Sequence, residues 1–323
     1  MSSIGIFRSS GYVTENIVHI DLEQYNSHEV CSAFIVTSPK SYAILDCGTS
    51  NDVPTLLTYL TSKLKVSLKK IKYLIPTHYH FDHFGGGWAL WNHIQDCNPD
   101  VKVLTTSKTK EQLQNPDLHM KQAYRTFGNM IGEMHPIPDK AYNIVSPNEE
   151  IFLPGLSDTH SLSLVPSPGH CEDHVCPTLF KDNRPEFMFV GESGGTTMHS
   201  EKLVTLGSSM PPEFHFKTYI KSLQNLIKSN PMNIGLGHFG AIKGLDNSLK
   251  LLNENLEFTT YFRKFVKERY EEKNETRWIV EQFLEHEIEN RVEISKIDMK
   301  LLIRIIVALV YGQLIDLGYR NPK

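Results

Sequence analysis

Hydrophobic residues along this chain keep first a strand-like period, then mixed strand and helix periods, and finally a helical one. Up to about residue 46, short β-rich runs such as 30–36 and 42–45 are separated by polar turns, which predicts a sheet meander. Apolar positions fall at helical spacing over 54–65, and a β-type run over 71–76 ends directly at a His-rich segment. A helix is expected over 88–94, a strand over 101–104, and helical material over 108–134, broken near Pro116. A second set of strands is expected over 151–153, 161–165, 174–180 and 186–190. An amphipathic helix over 214–228 and a short strand over 234–236 complete it. After about residue 245 the strand signals stop, and long charged helical patterns cover 247–270, 275–287 and 294–317. The pattern divides the chain into a mixed α/β domain over 1–245 and a helical C-terminal extension over 246–323, with the charged stretch 271–275 as a joint.

Composition narrows the class. With 323 residues, 40% of them hydrophobic, the chain can bury a large core. Its 33 Lys and Arg against 37 Asp and Glu, a formal charge of −4, supply no global basic field for nucleic acid or an acidic membrane. The segment 1–8 lacks the charged and apolar regions of a leader peptide, and the longest apolar run, 301–310, is broken by Arg304 and too short for a bilayer. A cytoplasmic protein without a membrane span is expected, with 301–310 as a buried helix. Cys31, Cys47, Cys97, Cys171 and Cys176 are odd in number and contain no CxxC pair, which favours reduced, mostly buried thiols.

The chemistry concentrates just past the run 71–76. His78, His80, Asp82 and His83 place four metal-capable groups within six residues. Imidazole suits zinc, iron and copper, and a carboxylate widens the choice toward iron and manganese. Gly85, Gly86 and Gly87 follow, small enough for backbone to approach bound metal closely.

This segment resembles the first signature of the metallo-β-lactamase superfamily, HxHxDH, and the superfamily's other stations follow in order. Asp46-Cys-Gly48 is similar to its Asp-x-Gly turn, Gly169-His170 to its Gly-His turn, Gly191-Glu192 to its Gly-Asp strand end, and Gly237-His238 to its last Gly-His. The resemblance covers about residues 5–245 and implies a four-layer αβ/βα sandwich with the site at the sheet edge. It also implies one ion on His78, His80 and His170, and a second on Asp82, His83 and His238. Zinc is the expected metal, with iron or manganese as alternatives.

A water activated between two ions would then hydrolyse an ester-like bond in a small substrate, such as a thioester or lactone, with Asp82 accepting its proton. Residue 192 departs from the pattern: Glu stands where the superfamily usually has Asp. The extra methylene moves the carboxylate by about 1.5 Å, which permits either bridging of both ions or binding of one.

Asp46 and His174 are expected to support the ligands from behind, as Asp173 could, and Cys171 to pack. His199 and His215 are expected on the substrate side, with His135 near it. Two other functions compete on the same scaffold: iron-dependent redox or persulfide chemistry, and a weakly catalytic binding role. The helical extension is expected to be winged-helix-like, to cover the active-site mouth, or to form a homodimer face.

Overall fold

The computed structural model describes residues 5–322; the first four residues, part of the segment read for a leader, lie outside them. Strand β1 (Ile6–Phe7) opens the described chain and pairs at an edge of the second of two sheets. The first sheet runs in chain order: β2 (Gly11–Tyr12), β3 (Ile17–Asp21), β4 (Ser32–Thr37), β5 (Tyr42–Leu45), β6 (Ile71–Ile75), β7 (Lys102–Thr105) and β8 (Tyr142–Ile144). It is antiparallel as far as β5 and parallel from there on. The change follows the connections, because β5 to β6 and β6 to β7 cross over through helices, as parallel neighbours require.

The second sheet has the order β1-β14-β13-β12-β11-β10-β9. Its remaining strands are β9 (Glu150–Ile151), β10 (His160–Pro166), β11 (Val175–Lys181), β12 (Arg184–Gly191), β13 (Asn233–Leu236) and β14 (Ala241–Lys243).

The helices are α1 (Val53–Thr58), α2 (Phe81–Phe84), α3 (Gly87–Gln95), α4 (Ser107–Gln114), α5 (Asp117–Phe127), α6 (Phe216–Lys228), α7 (Leu245–Glu272), α8 (Thr276–His286) and α9 (Met299–Asp316). The expected break near Pro116 separates α4 from α5, because the proline ring closes the first turn of a new helix and cannot continue the old one.

Three apolar layers hold the sandwich together. Between the sheets, Phe34 of β4 reaches Phe187 and Phe189 of β12, with ring centroids 5.1 and 4.9 Å apart. Outside the first sheet, Leu56, Leu60, Leu90 and Trp91 of the helical side pack on Ile35, Ile44 and Leu74. Outside the second, Tyr219 and Leu223 of α6 and Leu251 and Leu252 of α7 cover Met188, Val190 and Ile234. The result is the four-layer αβ/βα sandwich.

The extension is less separate than its composition suggests. The first turns of α7 belong to the sandwich's outer layer, while its Phe258, Phe262 and Val266 join α8 and α9 around Ile279, Phe283, Leu302 and Ile306. That cluster also takes in Val30, Met198 and Leu206 from the sandwich. A charged, periodic helix pattern reports the solvent face, whereas the buried stripe decides the partner. No strand follows β14 among the described residues, so the extension carries no wing. No helix of the described chain is long and apolar enough to cross a membrane.

Candidate metal centre

Four connections meet at one edge of the sandwich. The chain leaves β6 at Ile75 and turns into α2, which places His78, His80, Asp82 and His83 on one short arc. His170 lies in the turn from β10 to β11, Glu192 follows β12, and His238 stands between β13 and β14. Gly191 makes the turn into Glu192 with a φ of 52°, and a Cβ there would lie 2.6 Å from His174 Nε2, so only glycine meets both demands.

The tautomer of each imidazole follows from its outward partner. Thr77 donates its hydroxyl to Asp46 Oδ2 at 2.8 Å, so it accepts the Nδ1–H of His78 at 2.9 Å. His83 donates its own Nδ1–H to the same Asp46 oxygen at 3.1 Å. The backbone carbonyls of Ser208 and Val30 accept from Nδ1 of His170 and His238, both at 2.7 Å. Each of these four rings therefore turns Nε2 inward, the nitrogen left for a metal. His80 uses its other nitrogen: Nδ1 lies 3.0 Å from His170 Nε2, the two aimed at one point.

Within this ring the donors form groups His78–His80–His170, Asp82–His83–His238 and His78–His83–Glu192, with ligand atoms in each lying within 4.8 Å of one another. Glu192 links them, since Oε2 is 2.6 Å from His170 Nε2 and 3.6 Å from both His78 Nε2 and His83 Nε2. Asp82 Oδ2 lies 3.4 Å from His238 Nε2 and 4.0 Å from His83 Nε2.

Burial pushes His78 and His80 well below the ordinary imidazole range, and the crowding of neighbouring imidazoles adds to it. Burial alone would raise the carboxyls of Glu192 and Asp82. Surrounding imidazoles, His170, His78 and His83 for the first and His83 and His238 for the second, hold both low instead. The same carboxylates raise His83 and His170 in return, so protons and metal compete for these donors, and bound metal would take the place of the protons.

The donor set fits bound metal. His78 Nε2, His83 Nε2 and Glu192 Oε1 are buried without any hydrogen-bond partner. A buried polar atom left unpaired costs about 1–3 kcal/mol, and the two unpaired nitrogens, each 3.6 Å from Glu192 Oε2, indicate a cation as their partner.

The family model for the metallo-β-lactamase superfamily matches residues 28–238, a span that contains every one of these donors. The chain belongs to the metallo-β-lactamase superfamily. Its members are mostly metal-dependent hydrolases and typically bind metal ions. Among relatives, the metallo-β-lactamase fold-containing protein ST1585 of Sulfurisphaera tokodaii is 25% identical over 238 residues, 71% of this chain and 78% of its own. The β-lactamase-like protein 2 homolog of Drosophila melanogaster is 22% identical over 212 residues, 66% of this chain and 59% of its own length. The solved structure of ST1585 superposes with a TM-score of 0.63 at 22% identity, covering 93% of this chain and 98% of that one. A subclass B3 metallo-β-lactamase from a soil metagenome, MEM-A1, gives 0.55 at 14% identity over 80% of this chain and 96% of that one.

Other expected residues of this superfamily member fall in several places. Asp46 stands behind His83 and Thr77, its backbone held at a φ of 56°. His174 accepts the Glu192 N–H on Nε2 at 3.2 Å, and its Nδ1 faces Ser167 and Ser193, so it braces Glu192 and stacks on His78. Asp173 accepts the Tyr79 N–H, and burial raises its carboxyl to about 6. Cys171 is buried beside His78, His80 and His170, where burial and Asp173 push its thiol well up.

The three glycines after His83 serve a different purpose from the one expected. A Cβ on Gly85 would lie 2.2 Å from the Phe81 carbonyl of α2 and one on Gly87 2.3 Å from the Phe84 ring, while one on Gly86 would lie 2.6 Å from the Thr49 carbonyl, so Gly86 seats this segment against the turn after Asp46.

His199 and His215 are not brought to the cavity over the centre. His199 is buried 3.9 Å from Glu29, and the His215 side chain is 61% exposed beside Asp316, each drawn to a carboxylate elsewhere. His135 sits at the surface against Trp88.

The cavity itself, about 520 Å³, has His80, Asp82 and Glu192 at its base, α5 on one side and Ala308, Tyr311 and Ile315 of α9 on the other. Of these walls the sequence reading missed His119 of α5, whose ring lies parallel to His80 at 5.0 Å between centroids. A single His in a polar helix gives no ligand signal. Only its place with Gln122, Ala123 and Thr126, at helical positions i, i+3, i+4 and i+7, marks one face.

Proposed function

We infer that the chain is a hydrolase with two divalent metal ions, zinc by its ligand types, that cleaves an ester-like bond in a small substrate with an apolar acyl group. The observation that carries this reading is the cavity, which reaches the donor cluster at its base and is walled mainly by carbon. Phe127, Met210, Pro211, Ala308 and Ile315 supply that wall. Pockets of several hundred Å³ with apolar walls and a few polar groups at one end take drug-sized molecules.

Ions bound here would supply a water nucleophile at neutral pH and polarise the scissile carbonyl. His78, His80 and His170 would hold one ion, and Asp82, His83 and His238 the other. Glu192 supports a bridging place, because Oε2 lies between the groups. Asp82, held ionised, keeps carboxylate capacity for the proton of the attacking water and lies at the cavity base to deliver it to a leaving group.

The test is turnover of thioester, lactone and phosphodiester panels by metal-loaded protein and by His80→Ala. Metal-dependent hydrolysis of an acyl substrate that the substitution abolishes supports the reading. Full metal content with no turnover of any class refutes it.

A further inference from the structure

His119 makes a contact that defines its protonation. The backbone N–H of Phe81 donates to His119 Nε2 at 3.0 Å. An N–H can donate only to a nitrogen that carries a lone pair, so the ring is neutral and its proton sits on Nδ1. No protein acceptor meets that Nδ1–H among the described residues, nor is it a buried orphan, and the ring lines the cavity together with His80, Asp82 and Glu192.

The ring is also held in place. It lies parallel to His80, with an interplanar angle of 4°, and edge-on to Tyr79 at 4.8 Å. Residues 117–127 form α5, and Pro116 opens it, so His119 sits in the first turn of a helix whose cavity face continues through Ala123 and Thr126. A neutral imidazole with one nitrogen tied to backbone, in a ring that lines the cavity, is a preorganised donor held without a reorganisation step.

We propose that His119 Nδ1–H donates a hydrogen bond to the scissile carbonyl oxygen of the bound substrate, and strengthens that bond as negative charge develops on the oxygen. The proposal rests on the acyl-hydrolase reading above. It assigns a catalytic contact to a residue outside the donor cluster, delivered by a helix rather than by a strand end. The ligand class follows: the reacting group must carry an acceptor oxygen on the α5 side of the centre, as an ester, thioester or lactone does.

A structural prop would explain the stacking and the Phe81 contact but not the free Nδ1–H, and two variants separate these roles. His119→Phe keeps a ring against His80 and loses both hydrogen bonds. His119→Gln restores an acceptor for Phe81 and a donor for the cavity.

The measurements are kcat and KM on an acyl ester and on its thiono counterpart, whose sulfur is a poorer acceptor. Metal content and calorimetric affinity for a phosphonate monoester, a tetrahedral mimic, accompany them. The expected result is a fall in kcat of about 10²-fold in His119→Phe with unchanged metal content. The oxo-over-thiono preference shrinks, phosphonate binding weakens at least tenfold, and His119→Gln recovers most of each.

The proposal is overturned if His119→Phe keeps kcat and phosphonate affinity within about twofold. It is equally overturned if loss of activity tracks loss of metal and Gln does not rescue it. Should native protein hydrolyse no acyl substrate, the hydrolase reading fails by that result alone, and the phosphonate affinities of the three proteins still decide the role of His119.

Discussion

The base and the walls of the cavity are built on opposite plans. At the base, His78, His83, His170 and His238 each have an outward acceptor that decides which nitrogen points inward, and the groups sit in the connections that follow strands, Asp82 and His83 in the short helix α2. The walls are helical and largely apolar, and α9 reaches the cavity from a separate cluster of aliphatic and aromatic side chains. In the proposed hydrolase, the chemistry would thus be fixed by polar contacts with little freedom, whereas the shape of the substrate would be set by packing that can be altered without touching the ligands.

The largest break in that comparison is expected from His80→Ala. Removing one donor from the first group should lower hydrolysis by on the order of 10³-fold, with a matching loss of metal in elemental analysis, while thermal stability changes little.

A second effect reports the support beneath the base. His19 is buried against Phe34 and Phe239, next to the loop that carries His238, and burial lowers its pKa from 6.5 to about 4. The unfolded chain takes up that proton first, so stability present above pH 6.5 is lost as pH falls toward 4, by ~3 kcal/mol at most. Chemical unfolding between pH 7 and 4 should show this slope, and His19→Gln should flatten it.

Asp46→Asn comes next. It removes the charge behind His83 and disturbs Thr77, and the occupancy of the group containing His83 should fall by about 10- to 100-fold in metal affinity, read by competition with a chelating dye. The smallest effect belongs to the wall. Arg304 of α9 donates to the Phe127 carbonyl at the end of α5 at 2.7 Å, tying the two walls together. Arg304→Met should cost about 1 kcal/mol in unfolding and leave rates on short acyl substrates within about twofold. If instead it abolished turnover, the division between base and wall would fail.

The same division explains what could be read along the chain. The base was legible because its groups lie beside small residues in short, ordered stations: His78 to His83, Gly169-His170, Gly191-Glu192 and Gly237-His238. The sheets were legible because β4, β5, β6, β10, β11 and β12 carry dense apolar runs. The very short strands β1, β8 and β14 were not, since two or three residues display no period and owe their pairing to neighbours.

The walls were illegible for a related reason. Which face of α9 meets α5, and that His119 rather than His199 or His215 reaches the cavity, depends on tertiary packing between segments almost 200 residues apart. Gly312 shows the point: a Cβ there would fall 1.8 Å from the Ser209 carbonyl, a close approach that no local pattern announces.

The most direct measurement of the central claim is the number and position of bound metals, taken from anomalous scattering at the zinc edge on crystals of metal-loaded protein together with elemental analysis. Two ions are expected, one within the His78–His80–His170 group and one within the Asp82–His83–His238 group, with the Glu192 carboxylate touching both. A single ion, or an ion held away from these donors, would contradict it.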